Sequence, residues 1–137
     1  MPVIEEFYVV NSAGSCFYAK SKWGQIDTSL FSGFISVMEA IADQYTPEGL
    51  RSINLKNHKF FILKAEGLLF VASTAPNAKE KEVQKDMWAM QVLFFQEFPP
   101  SWIANAWDGD LNAFSKLDSL LDRFFVQSAV KRMESLF

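Results

Sequence analysis

Residues 3–10 are rich in β-branched and aromatic side chains, and the run breaks at Asn11-Ser12-Ala13-Gly14, a turn-forming set. A second run of the same kind covers 16–20. Two strands around a short glycine-containing loop read as an antiparallel hairpin. Asp27-Thr28-Ser29 then opens a helix. Asp27 or Thr28 caps the free N–H groups of its first turn, and Asp27 suits its positive end. At about 100° per residue, Leu30, Phe34, Val37, Met38, Ile41 and Tyr45 fall on one stripe, which is expected to lie on the sheet. Gly33 weakens the helix and sits at the edge of that stripe, where a missing side chain lets the backbone approach the sheet. The helix must stop before Pro47, and Glu48-Gly49 completes the break.

Three more strands follow, over 50–56, 59–64 and 68–73, with turns at Asn57-His58 and Glu66-Gly67. The last is nearly all apolar. A strand apolar at successive positions is buried on both faces, which places it near the centre of the sheet. The rest is helical. From 77 to 98, Val83, Met87, Met90, Phe94 and Phe98 form one stripe, and Pro99-Pro100 ends the helix. A loop over 100–109 carries Trp102 and Trp107. A last helix starts near Asp110 and turns Phe114, Leu117, Leu121, Phe124 and Phe125 inward. The order is β-β-α-β-β-β-α-α, an α/β protein of the α+β kind. Its first hairpin and its meander join into one five-stranded antiparallel sheet with helices on one or both faces. With no repeat, linker or low-complexity stretch, residues 1–137 read as a single domain.

Composition adds two points. Half of the 137 residues are hydrophobic, enough for a core, and 14 are phenylalanine. So many rings leave some apolar area over for a second surface. The net charge is −3, and there is no basic run; Lys20/Lys22 and Lys56/Lys59 form small pairs. A nucleic-acid-binding domain is normally basic on one face, so that class is set aside. The single cysteine, Cys16, forbids an internal disulfide and fits a reducing compartment. The N-terminus lacks a basic segment followed by an apolar run, and no stretch of about 18 uncharged apolar residues exists. A cytoplasmic protein is the expectation.

Catalysis finds no purchase in the pattern. His58 sits in a turn with no partner visible in sequence, and Cys16 lies in a strand without a second cysteine nearby. One Cys and one His cannot build a typical zinc site. Asp108-Gly109-Asp110 lacks the further ligands of a calcium loop, and a turn with an N-cap explains it better. There is no phosphate-binding glycine loop. Phe60 and Phe61 between Lys59 and Lys64 lack the RNA-binding pattern, and core packing accounts for them. The expectation is therefore no catalytic residue, no cofactor, no metal and no enzyme.

Three segments carry a family resemblance: the strand pair around Asn11-Ser12-Ala13-Gly14, the helical Leu30-Phe31-Ser32-Gly33-Phe34-Ile35-Ser36, and Trp107-Asp108-Gly109-Asp110 followed by Phe114. Together with the element order they resemble the longin fold, and the wording is similar to archaeal longin-like proteins of the longin and roadblock superfamily. Roadblock relatives begin with a helix, whereas this chain begins with a strand and ends with two helices, which favours longin. The resemblance implies an interaction platform that binds a small Ras-like GTPase, another longin or roadblock subunit, or a trafficking peptide. It also implies a homodimer or heterodimer, with membrane association only peripheral and through partners.

The surplus apolar area points to where such a partner docks. Phe31, Ile35 and Ala42 lie about 100–140° from Leu30, beside the core stripe, while Ser32, Ser36, Glu39 and Asp43 occupy the far side. Exposed apolar patches on soluble proteins tend to be interfaces. Phe31, Ile35 and Ala42 are therefore the expected contact residues, joined by Trp23 just before the helix. Trp88 and Phe95 flank the stripe of the second helix in the same way. The competing reading is a small-ligand sensor of PAS or GAF type, which needs a cavity beneath the helices. An enzyme with dispersed carboxylates ranks last.

Overall fold

The strand Leu68–Thr74, apolar as far as Ala72, is buried along its whole length and lies at the centre of the sheet. A computed structural model describes residues 3–11, 13–21, 28–46 and 52–125. The strands are β1 (Ile4–Asn11), β2 (Cys16–Ser21), β3 (Ser52–Asn54), β4 (Lys59–Ala65) and β5 (Leu68–Thr74), with α1 (Thr28–Asp43) between β2 and β3. After β5 come α2 (Glu80–Glu97), α3 (Pro100–Asn105) and α4 (Leu117–Leu121). The sheet order is β2-β1-β5-β4-β3, and all neighbours are antiparallel. The hairpin and the meander therefore join through β1 and β5, as the pattern predicts.

Side chains alternate across this sheet, and each face has its own core. Phe7, Val9, Phe61, Phe70 and Ala72 point to the face covered by Val83, Met87, Met90 and Phe94 of α2 and by Phe114, Leu117 and Leu121 of the C-terminal segment. Tyr8, Val10, Phe60, Ile62, Leu69 and Val71 point to the face covered by α1. The phenylalanines account for much of the first core. Phe94 and Phe114 stack at 5.7 Å, and Phe98 meets Phe114 at 4.7 Å. Each such ring stabilises the fold by about 1.5–3 kcal/mol on burial.

Two expected elements differ in form. The loop over 100–109 contains α3, opened by Pro100 in its first turn, where a missing N–H costs no hydrogen bond. The last helix is broken: a 3-10 helical stretch Leu111–Lys116 leads into α4, and a 3-10 turn Asp122–Phe124 follows. Its inward residues Phe114, Leu117, Leu121, Phe124 and Phe125 are all buried nonetheless. Asp27, the break at 47–49, the start of the third strand and Trp23 lie outside the described residues.

Candidate functional site

How α1 is docked decides which of its faces is available. Ser32 is buried, and its Oγ donates to the Gly14 carbonyl oxygen at 2.6 Å. At Gly14, in the left-handed region with φ 88°, a Cβ would stand 3.7 Å from the Cα of Gly33 and the Cβ of Ser36. The small residues of α1 thus let the β1–β2 turn come close. Phe31 lies over the sheet, its ring 4.2 Å from that of Tyr8 and 5.4 Å from that of Phe60. Ile35 is fully buried. Glu39, also buried, meets Lys64 of β4 with Oε1 3.7 Å from Nζ.

These contacts turn α1 about a third of a revolution from the expected orientation. Of the expected contact residues, Ile35 is enclosed between the helix and the sheet and is not accessible to a partner, whereas Phe31 rests its ring on the sheet and is partly buried. Ala42 is partly buried on the same side of the helix. Ser32 and Glu39, expected toward solvent, face inward. The residues expected on the sheet now point away from it: Phe34, Val37 and Ile41 are about half exposed, and Tyr45 is 86% exposed. The physical reason is polar. The sheet beneath α1 offers Glu6, the Tyr8 hydroxyl and Lys64, and the Gly14 carbonyl stands at its edge. Partners of that kind reward Ser32 and Glu39 more than they reward large apolar residues.

The outcome is a one-sided apolar surface. Phe34, Val37, Ile41 and Tyr45 follow one another at three- and four-residue intervals, so they form a continuous stripe. The only charged residues within α1, Glu39 and Asp43, lie on the other side. An uncharged apolar stripe of this kind is stabilised by being covered. Sequence reasoning found both stripes but not their roles. The missed signal was the pairing of Ser32 and Glu39 with groups that only the folded sheet brings near.

The remaining candidates occupy structural positions. Cys16 donates from Sγ to the Tyr18 carbonyl oxygen at 3.3 Å, and burial pushes its thiol up, which disfavours the reactive thiolate. His58 gains a neighbour invisible in sequence, the Glu5 carboxylate, at 4.0 Å from Nδ1. Asp108 accepts from the Asp110 N–H at 2.9 Å, and Asp110 accepts from the Asn112 N–H at 3.0 Å, a turn and a cap as expected. Phe95 packs edge-on against Phe70 and Phe94, which leaves Trp88 as the exposed ring of α2. Among the described residues no group of three or more His, Cys, Asp or Glu is placed to hold a metal ion, and no helix is long and apolar enough to cross a membrane.

No family model and no curated relative matches the sequence. Solved structures do match. A Roadblock/LC7 domain from Streptomyces avermitilis superposes with a TM-score of 0.54 at 13% identity, over 71% of this chain and 86% of that one. MglB of Myxococcus xanthus aligns with a TM-score of 0.49 at 12% identity, over 68% of this chain and 85% of that one. The likeness to the roadblock domain is one of fold. It makes this chain a longin/roadblock-like domain in architecture, with the five-stranded antiparallel sheet and flanking helices that the sequence predicts.

Proposed function

We propose that this chain is a non-enzymatic interaction module of longin/roadblock type, which dimerises and presents a surface to a small Ras-like GTPase or a related trafficking partner. The observation that carries the reading is the outward stripe of α1, Phe34, Val37, Ile41 and Tyr45, exposed on a fold of that architecture. A second copy of the chain brings the same stripe, and two such stripes cover each other across a two-fold axis. Among the described residues β2 and β3 stand at the two edges of the sheet, where a partner strand can extend it. Catalysis is not part of the reading. The described candidates for it are Cys16, a half-buried thiol whose burial disfavours the thiolate, and His58, whose Nδ1 lies 4.0 Å from the Glu5 carboxylate.

Light scattering after size exclusion tests the dimer. Wild-type chain is expected at twice its 15.6 kDa mass, and the double variant Val37→Glu/Ile41→Glu at the monomer mass with an unchanged circular dichroism spectrum. Both positions are solvent-exposed in the single chain, so glutamate there does not disturb the core. A wild-type protein that stays monomeric at high concentration overturns the dimer. For the GTPase, the test is direct binding and nucleotide release with a purified Ras-like GTPase encoded beside this chain's gene. Unchanged nucleotide release and no complex with any such GTPase overturn that part.

A further inference from the structure

The opposite face of the sheet carries a second surface feature. Between β4 and α2 a groove of about 340 Å³ opens to solvent, lined by Phe61, Ile62, Leu63, Gln84, Met87 and Trp88. Phe61 and Met87 are buried and form its floor, while Trp88, 62% exposed, forms a wall. Strand β3 pairs only with Lys59, Phe60 and Phe61, so among the described residues Ile62 and Leu63 lie beyond its cover. A solvent-facing tryptophan beside an apolar floor is the kind of anchor that dominates binding energy at interfaces.

The charges around this groove decide what fits it. Lys59 holds its Nζ 4.9 Å over the Phe61 ring, at one margin. On α2, Lys81 falls about 60° from Gln84 and flanks the groove, while Lys85, about 60° from Trp88 and about 100° from Gln84, stands at its outer margin beyond the Trp88 wall. Glu82 and Asp86 fall about 160–200° from Gln84, on the far side. One acid lies at the groove's end: Glu80, whose Oε1 accepts from Gln84 Nε2 at 3.1 Å. The rim is therefore basic in a chain whose net charge is −3. Its shape matters as much. A membrane takes up convex apolar surface, whereas this surface is concave. Its volume lies at the low end of ligand pockets, which run from about 300 to 1,000 Å³.

We infer that the groove between β4 and α2 is a docking site for a short acidic segment of a partner protein. One or two large aliphatic or aromatic side chains of that segment seat against Trp88 and Met87, and its carboxylates face Lys59, Lys81 and Lys85. The site is on the other side of the sheet from the α1 stripe, so it stands or falls independently of dimerisation.

Fluorescence anisotropy with labelled synthetic peptides tests this. The probes are a peptide of interspersed glutamates and leucines, the same peptide with lysines for glutamates, and the same with alanines for leucines. The Glu/Leu peptide is expected to bind, and the other two to bind at least about tenfold more weakly. Added salt is expected to weaken the complex, since Lys81 and Lys85 are solvent-exposed. Trp88→Ala is expected to reduce affinity by about tenfold or more with no change in the thermal melt, because the ring is mostly in solvent. Lys81→Glu/Lys85→Glu is expected to lose the Glu/Leu peptide and to gain the Lys/Leu peptide, a rescue that a folding defect cannot produce. Equal affinity for Trp88→Ala, indifference to peptide charge, or no binding of any of the three peptides overturns the inference. So does co-flotation with mixed phosphatidylcholine and phosphatidylserine vesicles in place of peptide binding.

Discussion

Ile35 and Ile41 stand six residues apart on one helix, identical in chemistry and opposite in environment. Ile35 is fully enclosed between α1 and the sheet, whereas Ile41 is about half exposed. Truncating Ile35 to alanine removes buried methyl groups and leaves a cavity that its neighbours Tyr8, Phe60 and Val71 only partly fill. The expected cost is about 2–4 kcal/mol. Ile41→Ala opens no cavity in the single chain, and its expected cost is below about 1 kcal/mol. Urea denaturation, at a concentration low enough to keep the protein monomeric, reads both. A larger loss for Ile41 than for Ile35 would turn α1 round and restore the orientation that the apolar stripe alone predicts. The same comparison shows why that stripe misled. Counting large apolar residues weighs hydrophobic transfer, but Ser32 and Glu39 are buried because Gly14 and Lys64 meet them. Those partners are 18 and 25 residues away, one in the β1–β2 turn and the other on β4.

At the scale of elements, the turns were the most legible part of the chain, because their chemistry is local. Glu66-Gly67 is a two-residue connection with both φ angles positive, 52° and 77°, the form whose twist matches antiparallel strands. It joins β4 to the central strand β5 in unbroken register from Lys59↔Thr74 to Ala65↔Leu68. Nothing stands within 4 Å of where a Gly67 Cβ would be, so space does not forbid a side chain there. The backbone does: an L-residue in the left-handed region costs about 1–2 kcal/mol. Gly67→Ala is expected to lower stability by that amount without altering the fold, as measured by urea denaturation and circular dichroism. No loss would mean that the turn relaxes to another type. Strands and α2 were legible for the same reason. The runs of β1, β4 and β5 are apolar on both faces, and α2 carries one apolar face at period 3.6, so each pattern reads without knowledge of distant partners. The stretch after Pro99 was less so. There the core is filled from short 3-10 and α-helical pieces whose ends are set by Asp110 capping and by aromatic packing around Phe114, not by periodicity.

In the whole molecule, the two layers of helix bury one phenol on each side of the sheet, and this gives the fold a pH dependence. Tyr8 lies under α1, and its hydroxyl donates to Glu6 at 2.5 Å. Tyr18 lies under the C-terminal segment, and its hydroxyl donates to Asp118 at 2.6 Å. Burial pushes both phenols above the ordinary tyrosine value of 10.0, and the hydrogen bond to a carboxylate, which only the protonated phenol makes, pushes each further. Both groups therefore hold their protons in the folded chain at a pH where the unfolded chain releases them. The stability they contribute is fully present below the unfolded value of about 10 and is lost as pH rises toward the folded value. Each phenol is expected to lower the unfolding free energy by up to about 1.4 kcal/mol per pH unit above pH 10. The double variant Tyr8→Phe/Tyr18→Phe removes both titrations. It gives up two hydrogen bonds, about 1 kcal/mol each, and is less stable at neutral pH. Its stability is then expected to fall more gently than wild type between about pH 10 and 12, so that the two curves converge. Lysine titration is common to both proteins and cancels in the comparison. Parallel curves from urea denaturation across that range would mean that neither phenol is held protonated by the fold.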